Sequence, residues 1–532
     1  MNEISVNNIK ISYGFNDVLN KVSFNINSGE KVAIVGDNGC GKSTILNIIS
    51  GMEKADFGTV SIRNKSKIGY LYQMNENMYN DVLVKEILYE GVADILEFEN
   101  KMKTYEERMC KDPTNINIIN KYLNIQDKYI SEGGYEINST IKKVVCGLSI
   151  NDFVDKKFNE LSGGEQKRVL VASLIISKAN ILLLDEPTNY LDINTIEWLE
   201  DYLKNYNGTV IVVSHDRYFL DKITTKTILI ENGKAIIFHG NYSYYLKENE
   251  LRIEREFKDY KDQQKIIKEM RNKIKKLEEF GRLAFPGGEV FYRRAENIKK
   301  RLDKLERIEK PIVKKELPIN LDYEKRSGRD VLVISNFSLY VENRLLIENI
   351  NLKINYGEKV CVIGDNGCGK STLIKNIVND VSNDIILGSN IKIGYIPQNI
   401  IFNEDITVLE YAKRCYVGEE CHLRSALNKF YFNNYDVFKR VNKLSGGEKV
   451  RLKLFSLIQN NSNFIILDEP TNHIDIYTKE TLESALKDYK GTVLFISHDR
   501  YFINKIADKI LYINNKKIKE YIGNYSYFID HK

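Results

Sequence analysis

Tryptophan occurs once in 532 residues, and no apolar run approaches the roughly 20 residues that cross a bilayer. Residues 1–20 are too polar for a secretory signal. Nothing in the chain could span a membrane, and a cytoplasmic location is expected. The seven cysteines contain no CxxC pair, so neither a zinc ribbon nor a disulfide framework is indicated. What remains is an ordinary globular composition, 43% hydrophobic and 28% charged. The length suffices for two domains, each with its own core. The net charge of +5 is unevenly placed. Residues 251–315 hold 21 Lys and Arg against 12 Asp and Glu, so the rest of the chain is net negative.

Four strings recur in the same order. The first half reads GDNGCGKST (Gly36 to Thr44), LSGGEQKR (Leu161 to Arg168), ILLLDEPTN (Ile181 to Asn189) and SHDRYF (Ser214 to Phe219). The second reads GDNGCGKST (Gly364 to Thr372), LSGGEKVR (Leu444 to Arg451), FIILDEPTN (Phe464 to Asn472) and SHDRYF (Ser497 to Phe502). Gln73 maps to Gln398 at an offset of 325, whereas Glu165, Asp185 and His215 map to Glu448, Asp468 and His498 at 283. The first copy therefore carries 42 additional residues between the glutamine and the LSGGE string. They fall within about 82–140 and read as an inserted helical hairpin.

Between the copies, Ile267, Met270, Ile274 and Leu277 recur at 3-4-3 spacing, as do Ala295, Ile298, Leu302 and Leu305. Each set is an apolar seam on a helix. The intervening GRLAFPGGEVFY contains a Pro-Gly-Gly that stops one helix and turns the chain. Two antiparallel helices follow, the first over Glu254 to Glu279 and about 39 Å long. A plain spacer would need neither the basic surplus nor an aromatic tip, so a functional hairpin is the favoured reading.

The runs KVAIV and KVCVI immediately before the glycine loops are expected to be buried parallel strands. Strand, loop and helix then wrap backbone N–H groups around phosphates. Gly36, Asn38, Gly39, Gly41 and Thr44 form the first loop with Lys42 and Ser43; Gly364, Asn366, Gly367, Gly369 and Thr372 form the second with Lys370 and Ser371. The lysines suit β- and γ-phosphates, and the serines suit Mg²⁺. Asp185 and Asp468, at strand ends, would hold Mg²⁺. Glu186 and Glu469 would orient and polarise the attacking water. Gln73 and Gln398 could sense metal and γ-phosphate, and His215 and His498 could hold the glutamates in register. Ser162, Gly163 and Gly164, with Ser445, Gly446 and Gly447, offer a hydroxyl and a helix N-terminus to another phosphate face. Cys40 and Cys368 are read as small residues tolerated beside phosphate rather than as redox groups. ATP and Mg²⁺ are the implied substrate and cofactor, and ATP hydrolysis the implied reaction.

These motifs resemble those of ATP-binding-cassette proteins over the whole chain. The resemblance implies an α/β fold with two tandem nucleotide-binding domains paired head to tail, Lys42 facing Ser445 and Lys370 facing Ser162. Tyr13 would stack on adenine in the first site. The same register in the second gives Val341, with Tyr340 one position off. Two cassettes in one chain, an inserted "arm", a charged linker and the SHDRYF and GNYSYY strings resemble the ABC-F translation factors. That resemblance implies binding to the 70S ribosome at its exit site, against rRNA and exit- or P-site tRNA. It also implies a linker aimed at the peptidyl-transferase centre, with Leu283, Phe285 and Pro286 as tip residues. Basic segments take most of their affinity for RNA from phosphates, which suits this target.

The expected organisation is a first cassette at 1–245 with its arm at about 82–140, a linker at 246–325 with its tip at about 280–292, and a second cassette at 326–532. A monomer is expected, since both halves of the pair are covalently joined. The compact arm favours an antibiotic-resistance type that protects ribosomes from lincosamides, pleuromutilins, streptogramin A or macrolides. A general translation factor, the ATPase subunit of a membrane transporter, and a DNA-repair ATPase are the alternatives. The last is weakened because the sequence ends nine residues after Gly523 with no basic extension.

Overall fold

The computed structural model describes residues 2–14, 16–64, 66–71, 79, 81–284, 286–308, 310, 326–379, 384–416, 418–433, 435–472, 474 and 476–532. They form two compact units, one joining Met1–Asn241 to Leu317–Lys532 and the other Tyr242–Glu316.

The first cassette begins with β1 (Asn2–Tyr13), β2 (Asn16–Asn27), β3 (Lys31–Gly36), α1 (Lys42–Ser50), β4 (Phe57–Ile62) and β5 (Ile68–Leu71). A helical section follows: α2 (Val84–Glu90), α3 (Ala93–Lys111), α4 (Ile116–Ser131), α5 (Ile137–Gly147) and α6 (Gly163–Ile176). It closes with β6 (Ile181–Asp185), α7 (Ile193–Lys204), β7 (Thr209–Val213), α8 (Arg217–Ile223), β8 (Lys226–Glu231) and β9 (Lys234–Phe238). The second unit contributes α9 (Tyr242–Leu283) and α10 (Glu289–Asp303). The second cassette starts with β10 (Asp330–Val341), β11 (Arg344–Asn355), β12 (Lys359–Gly364), α11 (Lys370–Asn379), β13 (Ile385–Leu387) and β14 (Ile393–Ile396). It continues through α12 (Val408–Cys415), α13 (Glu420–Asn428), α14 (Gly446–Gln459), β15 (Phe464–Asp468) and α15 (Ile476–Asp488). β16 (Thr492–Ile496), α16 (Arg500–Ile506), β17 (Lys509–Asn514), β18 (Lys517–Ile522) and α17 (Tyr525–His531) complete it.

Each cassette has an antiparallel three-stranded sheet, β2-β1-β4 or β11-β10-β13, and a six-stranded sheet. The larger sheets run β5-β6-β7-β3-β8-β9 and β14-β15-β16-β12-β17-β18. They are parallel apart from their last strands, which pair antiparallel. All five residues of β6, β7, β15 and β16 are buried. A central parallel strand is covered on both faces, so its sequence is a continuous apolar run rather than an alternation. The carboxyl ends of β6, β7 and β3 lie side by side in this order, as do those of β15, β16 and β12, and open α/β sheets place ligands at such ends.

The insertion is narrower than the stretch 82–140. α2 has a counterpart in α12, and an isolated bridge precedes each, Leu83 with Lys157 and Thr407 with Arg440. The additional residues are therefore α3 and α4 with their turns. Their seam buries Met102 and Tyr129, and the Tyr122 hydroxyl donates to Glu106 across the hairpin at 2.9 Å.

In the second unit α9 is 42 residues long, about 63 Å rather than 39 Å, because no helix breaker separates Tyr242 from the Pro-Gly-Gly turn. α10 returns antiparallel. Near the base, Gln263 donates to the Glu306 carbonyl at 2.8 Å and accepts from the Ile308 N–H at 2.9 Å. Near the turn, Gly281 lies against the Tyr292 ring, where a Cβ would sit 2.8 Å from it. Ile267 and Ala295 are the buried centres of the two seams. Phe280 stacks obliquely on Phe291, while Leu283 is 79% exposed and Pro286 is also exposed. Phe285 lies outside the described residues. Among the described residues no helix is long and apolar enough to cross a membrane.

Candidate nucleotide-binding site

Gly41 precedes α1 with φ +97°, and a Cβ there would sit 2.7 Å from a Leu19 methyl. Only glycine satisfies both the left-handed backbone and the close approach. The turn delivers Lys42 into the loop, where its ammonium donates to the Gly36 and Asp37 carbonyls at 2.9 Å. Lys370 does the same with Gly364 at 2.7 Å and Asp365 at 2.9 Å. Asn38, Gly39, Asn366 and Gly367 lie exposed on the loop crests, where nothing would meet a Cβ on either glycine. Burial holds the Cys40 and Cys368 thiols above their ordinary range, so they stay protonated and are poorly suited to redox chemistry.

Ser371 donates to Asp468 at 2.9 Å, and Ser43 is hydrogen-bonded to Asp185. Hydroxyl and carboxylate thus stand together at both sites, a hard-oxygen pair suited to Mg²⁺. The next residue in each strand–loop junction is strained: Glu186 has φ +49° and Glu469 φ +48°. Non-glycine residues are rarely left-handed. Here the conformation turns each carboxylate onto the following histidine loop. Glu469 accepts from the His498 N–H at 3.3 Å, with the His498 Nε2 3.3 Å from its other oxygen. Glu186 accepts from the His215 N–H at 3.2 Å, with Nε2 at 3.5 Å. Burial pushes Glu469 up to about 7, and lifts Glu186, Asp185 and Asp468 above the usual carboxylate range. Burial holds His498 down at about 3, so its ring is neutral. Glu469 can therefore accept a proton near neutrality, next to a histidine that does not compete for it.

The Ser162 hydroxyl caps α6 in a reciprocal box with Glu165, as Ser445 caps α14 with Glu448. Both helix N-termini therefore present backbone donors behind the GG pair. Ser162 and Gly164 share one cleft of about 830 Å³ with Gly367, Gly369, Lys370, Ser371, Thr372, Gln398, Glu469 and His498. The glycine loop of the second cassette thus faces the signature of the first. Asn366 reinforces this by donating to the Tyr190 carbonyl at 2.9 Å, and Asn194 by donating to Asp365 at 2.8 Å. Gln73 lies outside the described residues.

Tyr13 is half-exposed and its hydroxyl donates to Glu53. In the second cassette the register partner Val341 lines the cleft together with Arg344, whereas Tyr340 points out of the opposite strand face and is 59% exposed. Val341 and Arg344, not Tyr340, flank the position equivalent to Tyr13. Sequence reasoning also missed Arg168 and Tyr190, which line the same cleft. Arg168 stood in the LSGGEQKR string as a signal. Tyr190 gave none, because its left-handed φ of +68° is unusual for tyrosine.

The cassettes are further joined by two reciprocal ion pairs. Arg217 reaches the fully buried Glu483, and Arg500 the fully buried Glu200. Each guanidinium also lies over the tyrosine that follows the opposite arginine: Arg217 is 4.3 Å from the Tyr501 ring and Arg500 4.6 Å from the Tyr218 ring.

Comparison with known proteins agrees with this geometry. A family model described as ABC transporter matches residues 19–189 and 347–472, and a second, of the same description, matches 228–320. ABC transporter F family member 5 of Arabidopsis thaliana is 34% identical, over 99% of this chain and 77% of its own. The energy-dependent translational throttle protein EttA of Escherichia coli K12 is 32% identical, over 97% of this chain and 93% of its own. Among solved structures, that of the complex of archaeal ribosomal stalk protein aP1 with the ribosome recycling factor aABCE1 aligns with a TM-score of 0.63. It covers 98% of this chain and 92% of that one at 18% identity, a likeness of fold.

Proposed function

This chain belongs to the ABC-F family of ATP-binding cassette proteins, and from that premise we propose that it is an ATP-driven clamp acting on the ribosome. It binds and hydrolyses ATP, as cassettes of this family do. Lys42 and Lys370 hold phosphates, with the opposed serines Ser445 and Ser162 completing each site. Ser43 with Asp185, and Ser371 with Asp468, would hold Mg²⁺, and Gln398 lines the same cleft as Ser371. Bound there, the ion neutralises phosphate charge. Glu186 and Glu469 orient and deprotonate the attacking water, and His215 and His498 fix those carboxylates. Tyr13 packs against the base in the first site.

The observation that carries the clamp is the composite cleft of the second site, where Ser162 and Lys370 belong to different cassettes. Neither cassette is complete alone, so nucleotide binding and cassette closure are one event. The ribosome as target rests on the likeness to a translational throttle protein and on the basic hairpin of the second unit. We take the finer role to be protection of the peptidyl-transferase centre from antibiotics, through the hairpin tip, where Leu283 and Pro286 are exposed.

Two measurements test this. The Glu186→Gln/Glu469→Gln protein should co-sediment with 70S particles in MgATP and lose that association as salt rises. Absence from ribosomal fractions at every salt concentration sinks the ribosome reading. A sensitive host expressing the wild-type chain should tolerate higher concentrations of a lincosamide, a pleuromutilin, a streptogramin A or a macrolide. Unchanged growth with all four, alongside ribosome binding, leaves a general translation factor.

A further inference from the structure

The two ATP sites share their motif residues, yet a buried position at their junction differs in charge. At an offset of 283, Ile196 of α7 corresponds to Lys479 of α15. Ile196 is buried, at 2% exposure, and Lys479 is buried too, at 5%. Its ammonium donates to the His215 carbonyl of the first cassette at 3.0 Å and to the Asp499 carboxylate of the second at 2.8 Å. Asp499 in turn accepts from the Phe502 N–H and starts α16 directly after His498. A cavity of about 40 Å³ brings His215, His498, Lys479 and Ile196 together at this point.

A buried ammonium is tolerated only while its acceptors surround it. If the His215 loop withdraws, the ammonium loses its carbonyl acceptor and is left with Asp499 alone. The reciprocal link does not exist, because Ile196 has no group to donate to His498. Asp216, the equivalent of Asp499, instead faces Arg500 at 3.6 Å.

We propose that Lys479 is a positioning residue that ties the histidine loop of the Glu186 site to the histidine loop of the Glu469 site, making the two ATP sites non-equivalent. Lys479 touches neither nucleotide loop. It acts through His215, holding that loop in the conformation that receives Glu186 while the second site is closed. This rests on the reading of Glu186 and Glu469 as the two hydrolytic glutamates.

The test isolates each site. In a Glu469→Gln background only the Glu186 site turns over, and in a Glu186→Gln background only the Glu469 site. Lys479→Ile, which copies the residue already packed at position 196, should lower kcat at least fivefold in the first background and less than twofold in the second. KM should stay unchanged in both, and Lys479→Arg should recover most of the rate. Lys479→Met, unbranched like lysine, one atom shorter and uncharged, should behave as Lys479→Ile and guards against a packing defect. Equal losses in both backgrounds, or no loss in the first, overturn the proposal. Should the Glu186→Gln/Glu469→Gln double variant still hydrolyse ATP at the wild-type rate, the assignment of the glutamates has failed instead.

Discussion

Arg500→Met should loosen the paired cassettes without unfolding either. The Arg500 guanidinium crosses from α16 to Glu200 on α7, making one contact at 3.1 Å and a closer second one, and both side chains are buried. Removing one partner of such a pair costs about 3–5 kcal/mol, mostly through the charge left behind. Lys222, on the same cassette as Glu200, remains 3.1 Å from it and softens that penalty. The lower end of the range, about 3 kcal/mol, is therefore expected. Because Glu200 and Arg500 belong to different cassettes, the loss falls on their association, a shift of about 100-fold. Spin labels on the outer surface of each cassette, read by pulsed dipolar spectroscopy in MgATP with the hydrolytic glutamates changed to Gln, report the closed fraction directly. Arg217→Met should match it, because Glu483 and Lys505 repeat the arrangement at 2.9 Å. A closed-to-open ratio within threefold of the parent in both variants would refute the reasoning.

Lys370→Ala should abolish nucleotide binding at the second site, measured by equilibrium dialysis, while leaving the fold intact. Gly147→Ala should destabilise the first cassette by about 1–3 kcal/mol, since the new methyl would lie 2.0 Å from the Trp198 ring. That ring is the chain's only tryptophan, so its fluorescence follows unfolding of this cassette alone. The pair Glu469 and His498 should show opposed acid behaviour. Glu469, raised from 4.5 to about 7, adds stability as pH falls from 7 towards 4.5, and His498, lowered from 6.5 to about 3, removes it below 6.5. Each amounts to about 2 kcal/mol between pH 7 and 5, so urea midpoints of Glu469→Gln should drop relative to wild type across that interval; parallel curves would contradict the pairing.

The repeated motifs made the two sheets and the loops at their ends legible, because a phosphate loop, a strand-end acid and a signature helix each demand particular residues at particular spacings. The ends of helices were less so. α9 begins in the GNYSYY string, and nothing in a helix-permissive stretch marks where a helix stops being part of a cassette and becomes a linker. The limits of the arm within 82–140 are hidden for a similar reason. Offsets count inserted residues but do not locate them, and only the pairing of α2 with α12 shows that 84–90 is shared by both copies.

The cross-cassette chemistry was hidden for a deeper reason. Sequence repeats align residues that are equivalent, whereas function here depends on residues that meet, and those are 266 and 300 positions apart for the two arginine–glutamate pairs. Glu200 and Glu483 look in sequence like solvated positions of charged helices, WLEDYL and TLESAL. Burial with an arginine from the opposite copy is legible only once both helices face each other. Lys479 is the sharper case. Against Ile196 it reads as a tolerated surface substitution, yet a lysine withdrawn from water must be surrounded by acceptors. Its acceptors are the two histidine loops, so this buried disagreement in charge between the repeats lies where the two active sites touch.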